Sequence, residues 1–155
     1  MKMRYLLALI VAFAVLCASC NSDSPVAADF KSIDSDGWAY GDTLEFIPEL
    51  ADSTVDARLM IAVRHSSAYL YENLWLEVSV PPLPGDSLGV TDTVNVRLAD
   101  TYGRWLGRGS GVSYVKLDTL EDRYQVSRGE AIKVRHIMRA DKVRNLEQIG
   151  IALIY

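Results

Sequence analysis

Asn73–Val80 reads NLWLEVSV. Leu74, Leu76, Val78 and Val80 fall on one side of this stretch, and Trp75, Glu77 and Ser79 on the other. Successive side chains of an extended chain point to opposite faces, so strict alternation marks a strand with one face in a core and one in water. Wound into an α-helix, the same residues would scatter around the circumference and leave no apolar stripe.

The pattern recurs on both sides. Upstream, Leu59, Ile61 and Val63 alternate with polar neighbours between Arg58 and His65. Downstream, TVNVRLA (93–99) turns Val94, Val96 and Leu98 inward and Asn95 and Arg97 outward. EAIKVRHIM (130–138) sets Ile132, Val134, His136 and Met138 against Lys133, Arg135 and Ile137, and QIGIALIY (148–155) closes the chain as a nearly continuous apolar strand. Short strands at this spacing, separated by turn residues, predict an all-β antiparallel sandwich of jelly-roll or immunoglobulin-like type. PPLPGDSLG (81–89) is read as a connection, because proline has no amide to give a ladder. MRADKVRNLEQ (138–148) alone breaks the pattern. Ala140, Val143 and Leu146 recur there at helical spacing, which predicts one short helix near the C-terminus.

The N-terminal residues differ in kind. Lys2 and Arg4 precede an apolar run from Tyr5 to Ala18, which ends in Cys17-Ala18-Ser19-Cys20. Basic start, short apolar stretch and small residues before a cysteine are the anatomy of a lipoprotein signal peptide over residues 1–19, with Cys20 as the lipid-attachment site. The run is shorter than the roughly 20 apolar residues a membrane helix needs. Residues 20–35 are small and polar and are read as a lipidated flexible tether. Residues 36–155 then form a single sandwich domain. Stable anchoring takes more than one acyl chain, which bacterial lipoproteins carry, so membrane contact is expected through the N-terminal lipid.

Charge and cysteine content narrow the function. Cleavage after Ser19 removes Lys2 and Arg4 but none of the 20 acidic residues, so 14 minus 20 leaves a net charge of −6. That excludes nucleic acid as a partner, since its backbone demands a basic footprint. Of the two cysteines, Cys17 leaves with the signal peptide and Cys20 carries the lipid, so the domain holds together without a disulfide. A chain of 155 − 19 = 136 residues can do so, because a domain of that size buries about two-thirds of its unfolded surface.

LADTYGRWLGRGSG (98–111) invites a phosphate-loop reading through its four glycines. Its G-x-G-x-G spacing is not the dinucleotide pattern, however, and VSYVKL follows as a strand rather than a helix N-terminus. No cofactor and no histidine-held metal is expected, since of the two histidines His136 falls on an apolar strand face and His65 has no spaced partner. A calcium site of loop aspartates and backbone oxygens stays open, without an acidic loop of EF-hand spacing. No nucleophile elbow or thiol nucleophile occurs, and acids such as Asp92, Asp100, Asp118, Glu121 and Asp122 read as solvated turn residues, so no catalytic residue is assigned and a non-enzyme is expected. The aromatics are the stronger signal. Trp75 faces away from its strand's apolar side, and Tyr102 and Trp105 flank a turn with Asp100 and Arg108. These five residues are taken as the candidate partner-binding set, for an envelope protein or alternatively a glycan.

Several of these segments together resemble the gliding-motility lipoprotein family GldH. The resemblance rests on Asn73-Leu74-Trp75; on Asp92-Thr93; on Leu98-Ala99-Asp100 with Gly103, Trp105, Leu106, Gly107, Gly109 and Gly111; and on Met138, Arg139, Asp141, Leu146, Ile149 and Gly150. It covers residues 36–155 and departs from the pattern at VPPLPGDSLGV (80–90), where relatives carry a shorter hairpin. It implies a lipid-anchored protein of the cell envelope, expected at the outer membrane, that serves as an accessory or scaffold component of gliding or type IX secretion-related machinery. It supplies no catalytic residues.

Overall fold

The computed structural model describes residues 27–155. The signal peptide, Cys20 and the tether up to Val26 lie outside the described residues. In chain order the strands are β1 (Ala27–Ser32), β2 (Trp38–Ala39), β3 (Leu44–Phe46), β4 (Thr54–Ser66), β5 (Asn73–Val80), β6 (Val90–Arg97), β7 (Arg108–Gly109), β8 (Ser113–Ser127), β9 (Ile132–His136), β10 (Lys142–Val143) and β11 (Leu146–Ile154). They assemble into a five-stranded sheet, β1-β11-β4-β8-β7, a four-stranded sheet, β3-β9-β5-β6, and the small pair β10-β2. Every pairing is antiparallel.

Period-two patterning explains why these segments are strands and how the two larger sheets meet. In β4 the odd-numbered residues from Val55 to His65 are buried, and in β5 the even-numbered ones from Leu74 to Val80. Leu59, Ile61 and Val63 from one sheet and Leu74, Leu76, Val96, Ile132 and Val134 from the other join one apolar core. β4 and β8 pair along almost their whole length, with a register shift between Arg58 and Met60. A bulge of this kind bends and twists the long strands locally.

Two expectations require correction. The short C-terminal helix does not form, and there is no helix among the described residues. Ala140, Val143 and Leu146 lie on three different pieces of backbone: a loop, β10 and the start of β11. Val143 is buried because β10 pairs with β2 opposite Trp38, and Asn145, with φ 65°, turns the chain so that Leu146 can enter the large sheet. The second correction concerns the tether. Its last part is the edge strand β1, paired with β11 from Ala27↔Leu153 to Ser32↔Gln148. An exposed edge strand needs few apolar residues, so its composition reads like a linker. Its one large apolar side chain, Phe30, lies over Gly150 of β11, where any Cβ would overlap the ring.

Leu76 is fully buried at the centre of the core. Leu76→Ala should cost about 2–5 kcal/mol by denaturant unfolding, whereas Thr119→Ala, on an exposed strand position, should change stability by less than about 0.5 kcal/mol. Equal effects at the two positions would contradict this core assignment.

Candidate functional site

The turn following β6 is built around one carboxylate. Asp100 Oδ1 accepts the backbone amides of Tyr102 and Arg104, both at 2.9 Å, and Oδ2 accepts Arg104 Nε at 2.7 Å. Backbone bonds from Asp100 N to Arg104 O and from Gly103 N to Asp100 O close the loop, with Gly103 at φ 76°. The Arg104 amide, then its guanidinium and the Tyr102 amide, hold the Asp100 carboxyl below the usual carboxylate range. Tyr102 stands out into solvent with the Arg104 guanidinium over its ring.

The glycines that follow serve close packing of backbone. A Cβ at Gly107 would lie 2.7 Å from Val115 O, and one at Gly109 would overlap Ser113. Gly111 takes φ 70° in the connection to β8. The segment thus leads from edge strand β7, which carries Arg108, straight into β8, with no helix N-terminus to receive a phosphate.

Trp105 turns inward. It is half-buried, its ring 4.5 Å from that of His65 and 6.0 Å from that of Tyr114. His65 also meets Tyr69, which contacts Tyr71 edge-on, so an aromatic chain runs along this end of the core. His136 lies in a second cluster, edge-on to Trp38 and Tyr40. Because a carbonyl only accepts, His65 Nδ1–H donates to Ser66 O at 2.9 Å and His136 Nε2–H donates to Trp38 O at 3.0 Å. The other ring nitrogen of each is buried without a hydrogen-bond partner. Protonation would place a charge and an unpaired N–H there, so burial holds both histidines below their ordinary pKa.

Trp75 is displayed on the opposite side of β5, on the outer face of the four-stranded sheet, 40% exposed. Beside it lies a groove of about 480 Å³ lined by Tyr71, Trp75 and the segment Ile137–Ala140. That segment leaves β9 but stays pinned to Trp75: Ile137 N donates to Trp75 O at 2.9 Å, and Trp75 N donates to Met138 Sδ at 3.3 Å. On its other flank the same segment lines a smaller hollow of about 280 Å³ with Tyr40 and Asp141. Cross-strand neighbours Glu77 and Arg135 share this sheet face in a two-pronged ion pair, 2.7 and 3.0 Å, and the Arg135 partner lowers the Glu77 pKa.

Of the five residues singled out from sequence, Trp75 alone lines the groove. Asp100 organises its turn, Tyr102 is exposed at that turn's tip, Trp105 packs inward and Arg108 sits on a sheet edge. Tyr71, Ile137 and Arg139 complete the groove and lie outside that set of five, as does Tyr40 in the smaller hollow beside it. One signal was present: Ile137 falls on the polar side of its strand's alternation, beside Lys133 and Arg135. Among the described residues no group of acidic, histidine or cysteine side chains has the arrangement of a metal site.

The sequence itself carries a further match. The family model described as GldH lipoprotein spans residues 25–153. The chain belongs to the GldH lipoprotein family. Neither a curated protein nor a solved structure matches it. As a GldH lipoprotein it is a membrane-anchored protein of the cell envelope, and the match takes in both the glycine-rich turn and the Trp75 groove.

The buried histidines make stability depend on pH. Their depressed folded values mean that stability is fully present above the unfolded pKa of about 6.5 and is lost as pH falls through the folded values. Tm should hold level from about pH 8 to 7 and decline from about pH 6.5 towards 5, before the carboxylates titrate. A level Tm throughout would contradict the neutral, enclosed state. Separately, Asp100→Ala should speed hydrogen exchange at the Tyr102 and Arg104 amides and leave the β5 amides unchanged. Unaltered exchange at Tyr102 and Arg104 would show that the carboxylate does not hold the turn.

Proposed function

We propose that this GldH protein is a non-catalytic scaffold of the cell envelope, held at the outer membrane by acyl chains on Cys20. In this reading it contributes to gliding-motility or type IX secretion-related machinery by docking an envelope protein. The observation that carries the reading is the groove at Trp75 on the outer face of the four-stranded sheet. An exposed tryptophan beside a tyrosine, an isoleucine and an arginine has the composition of a binding hot spot, where aromatic and arginine side chains carry most of the energy. The open groove suits a side chain or short segment of a partner. Family membership supports the envelope setting. The enclosed state of both histidines and the engagement of Asp100 in its own turn support a role without acid–base chemistry at these groups.

A glycan is the second reading, favoured by the same aromatic lining, since flat ring faces stack on sugar rings. In-cell crosslinking of tagged full-length protein, followed by mass spectrometry, separates the two. Gliding or type IX secretion components should be captured, and Cys20→Ala should abolish capture. Trp75→Ala should weaken it by roughly 30-fold, as expected for a hot spot worth about 2 kcal/mol, with Tm unchanged. Undiminished capture by folded Trp75→Ala would remove the groove from the interface. Quenching of tryptophan fluorescence by peptidoglycan fragments, with no protein captured, would favour the glycan.

A further inference from the structure

The outer face of the five-stranded sheet has no role in the reading above, and its chemistry is unlike the rest of the molecule. Ala62, Ala152 and Ile154 are only 4%, 4% and 6% exposed, yet they are not part of the core. They point the other way, since Ala62 stands between the inward residues Ile61 and Val63 of β4. Strand register puts Phe30, Gly150, Ala62 and Leu117 in one row across β1, β11, β4 and β8. The next row holds Ala28, Ala152, Met60 and Thr119. Phe30 and Leu117 remain 54% and 50% exposed. The result is an apolar strip four strands wide, about 15 Å across at the usual strand spacing.

Arginines border this strip. Arg64, opposite Gln148 and Val115, and Arg108, also opposite Val115, lie on one side; Arg58, opposite Ile154 and Arg123, lies on the other. Against these four arginines stand Asp56, paired with Arg123, Glu121, which alternation puts on the side of Thr119 and Arg123, and Glu147 at the corner, where it accepts Ser113 Oγ at 2.7 Å. Four minus three leaves this face at +1, whereas the whole chain is −4. The third feature is position. β1 is the edge of this same sheet, and Cys20 precedes Ala27 by seven residues. A fully extended chain of that length reaches at most about 25 Å.

We propose that this face rests on the anionic headgroup surface of the bilayer that holds the lipid anchor. It deepens the proposed function and rests on the reading that Cys20 is acylated. Arginines around an apolar strip from which Phe30 and Leu117 stand exposed match a surface with negative headgroups above acyl chains. A short tether keeps the face at high effective concentration, so a contact too weak to act alone suffices. A second copy docking through the same face would set arginine against arginine, which disfavours that occupant. The arrangement also turns the opposite sheet, with Trp75, away from the membrane and towards a partner.

The test uses the full, acylated chain reconstituted into vesicles with brominated acyl chains, made either of phosphatidylcholine or of phosphatidylcholine with added phosphatidylglycerol. Phe30→Trp is one reporter and Leu117→Trp a second, each checked for native circular dichroism. Quenching beyond that of the parent is expected in the anionic vesicles, weakened by high salt and at least halved when Arg58, Arg64 and Arg108 are all replaced by Glu. Both reporters quenched no more than the parent, or equally in the two vesicles, on protein that floats with them would overturn the proposal and leave the anchor intact. Dimers in sedimentation velocity with unquenched reporters would overturn it in favour of a second copy. Parent protein that fails to float would instead sink the anchor reading, and this inference with it.

Discussion

Strand β4 is the element on which the rest of the structure depends. It pairs along its length with β8 on one side and with β11 on the other, so every residue from Val55 to His65 must suit one face or the other of a large sheet. Its inward residues are among the most buried in the molecule and set the core against β5 and β9. Its outward residues include flexible Met60 and small Ala62, set between Arg58 and Arg64, with Asp56 beyond Arg58. A one-residue slip would exchange the two sets, which makes the register of β4 energetically decisive. The two outer surfaces of the assembly follow from it: a basic, apolar face on one sheet, an aromatic groove on the other.

Much of the fold was legible in sequence, for a physical reason. In β4, β5 and β9 water lies on one side and the core on the other, and a strand in that position must alternate. Where the constraint weakens, reading fails. β1 is an edge strand whose side chains from Ala28 to Ser32 stay exposed or half-buried, so nothing in Ala27–Ser32 distinguishes it from a tether except pairing with a strand more than a hundred residues away. The stretch from Ala140 to Leu146 misleads for the opposite reason. Its apolar residues each answer to a different tertiary neighbour, and their three-residue spacing imitates a helix that nothing supports.

The candidate site was legible only in part. Alternation in NLWLEVSV requires Trp75 to face outward, and it does. Trp105 shows no such alternation, because its direction is set by the turn closed around Asp100 and by the ring of His65. The groove depends on Ile137 to Ala140 leaving β9 while two hydrogen bonds still tie that segment to Trp75. A contact between positions more than sixty residues apart leaves no local mark in the sequence.

The central claim is that the sheet face at Trp75, rather than the glycine-rich turn, meets the partner. Site-specific photo-crosslinking in living cells tests it most directly, with a photoreactive phenylalanine analogue at position 75 in one strain and at position 102 in another. Both side chains are exposed, so both reach whatever is bound nearby. The account predicts a discrete protein adduct from position 75 and none from position 102. An adduct from position 102 alone would contradict it and move the interface to the Asp100 turn.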